Sequence, residues 1–204
     1  MFCNNEQDQT LNFVFRFRYR SPSCNGGDGT NFVSFTGANF IAASNPTDFA
    51  LLQLTQSPEG STGITYAGWS RNNQPTPNSA GIHHPRGDVM KISIDNNPAQ
   101  IVNWLNSINT HWRVQFDQGT VEPSSSGSPL FDNNRRIVGQ LHGDQNNRGD
   151  CGTSPLPMAV CSLSNLPPQD FPAGLLRTSS VAIPPRFAPQ ATQEVPSWSE
   201  SATA

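Results

Sequence analysis

Residues 11–20, Leu-Asn-Phe-Val-Phe-Arg-Phe-Arg-Tyr-Arg, alternate between apolar and basic side chains. In an extended chain Phe13, Phe15, Phe17 and Tyr19 share one face, and Arg16, Arg18 and Arg20 share the other. A period of two is the mark of a half-buried strand. Short apolar runs predict further strands over 31–43, 48–54, 64–69, 89–94, 112–116 and 137–142. Turn formers separate them, as in Cys24-Asn-Gly-Gly-Asp-Gly29. One stretch, 98–108, places Ile101, Val102, Trp104, Leu105 and Ile108 at helical spacing. Its Asn and Ser content suits an irregular loop equally well.

Composition supports the strand reading. Only 13% of the 204 residues are charged, and 16 glycines and 18 prolines interrupt the chain. Low charge with many turn formers predicts an all-β, loop-rich protein. The formal net charge of −3 gives no footprint for nucleic acid or an anionic membrane. The arginines of residues 16–20 therefore read as a solvated strand face. No apolar run approaches the ~20 residues of a membrane span. The cysteines Cys3, Cys24, Cys151 and Cys161 include no Cys-x-x-Cys pair, so no zinc or redox motif is expected. Asp28 sits in a plain turn without calcium-loop spacing. Residues 152–204 are rich in Pro, Ser and Ala without periodicity, the composition of a disordered tail. Two units are expected: a domain over 1–151 and that tail.

The densest chemical signal is Glu122-Pro-Ser-Ser-Ser-Gly-Ser-Pro-Leu-Phe131. A nucleophilic Ser needs a tight turn whose own N–H groups face the developing oxyanion. Small neighbours let a substrate carbonyl approach, and Gly127 reaches backbone angles closed to other residues. Three more segments stand in order with it: Asn45-Pro-Thr-Asp-Phe-Ala-Leu-Leu-Gln-Leu54, Gly81-Ile-His-His-Pro-Arg86 and Gly139-Gln-Leu-His-Gly143. Together they resemble the lysyl-endopeptidase branch of the bacterial trypsin-like serine proteases, over roughly residues 3–151. That branch carries Asp-Phe-x-Leu-Leu-x-Leu, Gly-x-x-His-His-Pro, Gly-Ser-Ser-Gly-Ser-Pro and Gly-Gln-Leu-His-Gly.

The resemblance implies a chymotrypsin-like double β-barrel with an incomplete first barrel. It makes Asp48 the triad acid and Ser126 the nucleophile, with the N–H groups of Ser124 and Ser126 as the oxyanion hole. Ser124 stands where the family has Gly. His142 is read either as lining the substrate cleft or as a buried His satisfied by the backbone. His83-His84-Pro85 is expected to be a surface turn between strands. The implied partner is a polypeptide substrate, bound by a monomer without metal or organic cofactor.

The family's general base precedes the triad acid in a Thr-Ala-x-His-Cys segment. His83, His84, His111 and His142 all follow Asp48, and alignment of Cys3 puts Phe2 at the base position. Phenylalanine cannot take a proton from Ser126. Loss of one triad member leaves only about 10³–10⁴-fold catalysis over water. The chain is therefore expected to be a fragment or an inactive copy of a serine endopeptidase, or else a non-catalytic homologue used for binding. The resemblance also implies disulfide partners for Cys3, Cys24 and Cys151 upstream of residue 1. It implies an exported parent protein, although no signal peptide opens this sequence.

Overall fold

The computed structural model describes residues 12–23, 26–44, 47–61, 63–72, 74–104, 106–144 and 157–162. For residues 107, 144 and 157–162 only the backbone is described. Among the described residues the chain forms eleven strands and a 3₁₀ turn, Pro85–Gly87. The strands are β1 (Val14–Phe17), β2 (Val33–Thr36), β3 (Ala38–Ser44), β4 (Phe49–Leu54), β5 (Ser79–His83), β6 (Lys91–Asp95), β7 (Gln100–Trp104), β8 (Ser107–Gln115), β9 (Pro129–Phe131), β10 (Ile137–Asp144) and β11 (Pro157–Ser162). No helix of the described residues is long and apolar enough to cross a membrane.

The first four strands form two antiparallel pairs, β1–β2 and β3–β4. Among the described residues these pairs do not close on each other, as an incomplete first barrel requires. Alternation works as expected in β1, where Phe15 and Phe17 are half-buried and Val14 and Arg16 exposed. Phe17 meets Phe35 edge-on at 5.5 Å, a favoured geometry for aromatic pairs. The strand expected over 31–43 is broken at Gly37, whose φ of 87° turns the chain between β2 and β3. Its N–H donates to the Phe13 carbonyl, and its own carbonyl accepts from Thr55.

The other seven strands make one sheet in the order β6-β5-β9-β10-β11-β8-β7. One face is the apolar core: Trp112 and Val114 from β8, Phe116 just after it, Leu130 from β9, Val138 and Leu141 from β10, and Ala99. Burial of that face supplies the main folding drive, at about 25 cal/mol per Å² of apolar surface. At the β9–β10 turn the buried Asp132 accepts from the N–H groups of Asn134 and Arg136 and holds the Arg136 guanidinium at 2.8–3.0 Å.

Two expectations are corrected. Residues 98–108 are neither helix nor irregular loop: Gln100–Trp104 and Ser107–Gln115 form an antiparallel pair. Ile101 and Ile108 are 50% and 74% exposed, so their spacing marks no buried stripe. Residues 64–69 form no strand. They make only a bridge at Tyr66 and a parallel bridge from Trp69 to Ile137. Pro157–Ser162, inside the stretch expected to be tail, form β11 between β10 and β8. The remainder of 152–204 lies outside the described residues, as do Phe2, Cys3, Cys24 and Cys151.

Candidate active site

Two tight turns in succession present the serines. In the first, Ser125 N–H donates to the Glu122 carbonyl at 3.1 Å. Pro123 holds the second position and Ser124 the third, with φ 74°. Proline at i+1 and a positive φ at i+2 are what a type II turn demands. In the second, Ser128 N–H donates to the Ser125 carbonyl at 3.2 Å, and Gly127 at the third position has φ 81°. Ser126 sits at the exposed second position of this turn. Gly127 N–H donates to the Leu141 carbonyl at 2.8 Å, and Leu141 N–H donates to the Ser128 carbonyl at 2.9 Å. The turn is thereby pinned to β10. Neither the Ser124 nor the Ser126 N–H meets an acceptor among the described residues.

Asp48 is the turn residue just before β4, at φ 49°. Short polar side chains tolerate that left-handed backbone better than most. Gln140 of β10 donates its amide to the Asp48 carbonyl at 2.9 Å, tying the acid's turn to the strand behind the nucleophile. The neighbour of the Asp48 carboxylate is His142, Nε2 to Oδ2 3.6 Å. That is too long for a hydrogen bond. On its other side His142 Nδ1 lies 2.8 Å from His111 Nε2, and His111 Nδ1 lies 2.8 Å from Thr110 Oγ1. Trp104 packs on both imidazoles, with centroids 5.9–6.0 Å apart. His142 thus stands in a row running Thr110, His111, His142, Asp48.

His83 is not part of a surface turn. It ends β5 with 1% of its surface exposed. Its Nδ1 is 3.0 Å from Ser125 Oγ and its Nε2 3.0 Å from Ser93 Oγ. His84 is more open, stacked on Tyr19, with Nδ1 3.0 Å from the Asp88 carbonyl. Burial, reinforced by neighbouring His84, lowers the His83 pKa from 6.5 to about 4. Burial, reinforced by His142, lowers that of His111 to about 4 as well. His142 is also lowered, burial outweighing the opposite pull of Asp48. Burial penalises the charged imidazolium in each case.

The structure therefore brings Asp48 and His142 together and exposes Ser126. Among the described residues no hydrogen bond joins Ser126 to Asp48 or to any of the four histidines. Phe2 lies outside the described residues. Sequence reasoning missed the roles of His83, Ser125, His111 and Trp104. The doublet His83-His84 stands out as a motif, but nothing in it says which ring turns inward. No described group of His, Cys, Asp and Glu is arranged to hold a metal ion.

The chain is 34% identical over 154 residues to the lysyl endopeptidase of Pseudomonas aeruginosa, matching 69% of this chain and 32% of that protein. It spans about a third of the length of this curated relative. Among solved structures it is similar to the HtrA-type protease AlgW with a tripeptide, at 14% identity and TM-score 0.47 over 75% of this chain and 49% of that one. It is also similar to the inactive form of the Mycobacterium tuberculosis protease Rv3671c, at 16% identity and TM-score 0.43 over 87% and 94%. The family model of the lysyl endopeptidase C-terminal domain matches residues 1–154, three-quarters of the sequence, and the chain belongs to that family.

Proposed function

We propose that the domain is the catalytic scaffold of a trypsin-like serine endopeptidase acting on polypeptides, and that these 204 residues alone lack its general base. Ser126 is the nucleophile and Asp48 the acid. The N–H groups of Ser124 and Ser126 receive the oxyanion, a role worth about 3–4 kcal/mol per donor in comparable sites. No metal or organic cofactor takes part. The exposed Ser126, on a turn pinned at both ends, is the observation that carries this reading. Expected inactivity rests on the histidines: each is engaged elsewhere, His83 by Ser125, His84 by Asp88, His111 by Thr110 and His142 by His111. The same engagement favours a second reading, a homologue that binds peptides without cutting them.

Chemical rescue separates the two. Free imidazole can take the proton from Ser126 Oγ as it attacks a carbonyl and return it to the leaving group. The purified chain is expected to hydrolyse an activated ester no faster than background without imidazole. With imidazole it should do so measurably, and Ser126→Ala should abolish the gain. Rescue that survives Ser126→Ala would sink the protease reading, and absence of rescue beside saturable peptide binding would favour the binding module.

A further inference from the structure

We propose that His83 is a positioning residue that locks the nucleophile turn through Ser125, acting as a neutral imidazole with its proton on Nε2. Its catalytic meaning rests on the serine-hydrolase reading of Ser126, whereas its geometry does not.

Hydrogen-bond direction fixes the tautomer. Ser93 Oγ lies 3.1 Å from the Thr120 carbonyl, which can only accept, so the Ser93 hydroxyl proton points there. Ser93 Oγ is then the acceptor toward His83, and Nε2 must be the donor. That leaves Nδ1 unprotonated, ready to accept from the Ser125 hydroxyl. Ser125 Oγ in turn accepts from the Glu122 N–H at 3.4 Å. The row Glu122 N–H, Ser125 O–H, His83, Ser93 O–H, Thr120 carbonyl runs one way, with each proton used once.

Ser125 is where such a lock has leverage. It is both the last residue of the first turn and the first residue of the second. Ser125 is 1% exposed while Ser124 and Ser126 on either side are exposed. Fixing Ser125 inward fixes Ser126 outward, because neighbouring side chains in such a turn cannot both face the core. The same segment grips the first turn again: Arg86 N–H donates to the Pro123 carbonyl at 2.7 Å, and the Arg86 guanidinium pairs with Glu122 at 3.0 Å. Residues 83–86 and 122–125 are thus one clasp.

The test uses the full chain, labelled with nitrogen-15. Long-range proton–nitrogen spectra at neutral pH should show His83 with Nε2 protonated and Nδ1 bare. A proton on Nδ1, or an imidazolium, would overturn the proposal. In Ser125→Ala, amide exchange at Gly127 and Ser128 should quicken about tenfold, the loss of one buried hydrogen bond. Amides of β5 and β6 should keep their wild-type rates. Turn amides that exchange as in wild type would also overturn it. Ser93→Ala breaks the far end of the row and should mix the tautomers while leaving the turn amides within about twofold of wild type, a small energy on the scale of one hydrogen bond. Equal loosening by both variants would make Ser125 an ordinary core contact and the proposal wrong. If Ser125→Ala fails to fold, the wild-type tautomer and Ser93→Ala decide alone. Under imidazole rescue, Ser125→Ala should lower turnover and leave KM unchanged. A wild-type chain without rescue would refute the hydrolase reading, while the tautomer and exchange rates would still decide the clasp.

Discussion

Ser124 shows what one β-carbon costs at a site that prefers none. Its φ of 74° lies in the left-handed region, where an ordinary L-residue loses about 1–2 kcal/mol. Glycine avoids that strain but loses about 0.5–1 kcal/mol of extra chain entropy on folding. The two effects nearly cancel, so Ser124→Gly should raise stability by only about 0.5 kcal/mol, read as a small upward shift of the urea midpoint. A marked loss would mean that the Ser124 side chain holds the turn in a way its exposed position does not suggest. The histidines give a larger signal. His83 and His111 have folded pKa values near 4, below the ordinary 6.5. Between pH 6.5 and 4 the unfolded chain binds protons that the folded chain refuses. Stability must therefore fall as pH drops, by about 1.4 kcal/mol per pH unit for each such group. Above pH 6.5 neither His contributes a slope. Denaturant midpoints at pH 7.5, 6 and 5 test this, and His83→Gln should make the acid-side slope shallower.

Elements explain which parts of the site could be read in advance. Strands with alternating or continuous apolar residues were legible: β1 and β4 fall within runs that their own patterns predict, and β6, β8 and β10 overlap such runs in part. The turn of residues 122–128 was legible too, because Pro and Gly mark positions with fixed backbone angles. The β7–β8 pair was not, since Ile, Val and Trp spaced through an Asn-rich stretch satisfy either period, and only pairing with β8 decides between them. The inward ring of His83 was hidden for the same reason, as its partners Ser93 and Ser125 lie 10 and 42 residues away. Gln140 is an intermediate case. Its place in Gly-Gln-Leu-His-Gly is plain in the sequence, but its job of tying β10 to the turn of Asp48 appears only in three dimensions. Gln140→Ala should cost about 1 kcal/mol, the net worth of a partly buried hydrogen bond. It should also raise amide exchange around residues 47–50 more than in β5, as hydrogen-exchange mass spectrometry would show. Uniform loss across both regions would mean that Gln140 only fills space.

At the scale of the whole molecule, the sheet depends on a segment beyond the family match. The match ends at residue 154, yet β11, Pro157–Ser162, lies inside the seven-stranded sheet. It pairs with β10 over residues 139–144 and with β8 over 111–115. Those two strands carry Trp112, Val114, Val138 and Leu141, the middle of the apolar core. Without β11 their facing edges would leave backbone N–H and C=O groups unpaired beside that core. Unpaired buried groups and open sheet edges are costly and promote aggregation. A tail of disordered composition would contribute none of this, so two deletions give opposite outcomes. A chain ending at residue 162 should unfold with the same midpoint as the full sequence, within about 0.5 kcal/mol, the range for changes away from packed features. A chain ending at 156 should lose its cooperative transition and its near-ultraviolet aromatic signal, because Trp112 would no longer sit in a closed layer. If the shorter chain unfolds cooperatively at the same midpoint, β8 and β10 must pair by another route. The central sheet would then be complete within the residues that the family match covers.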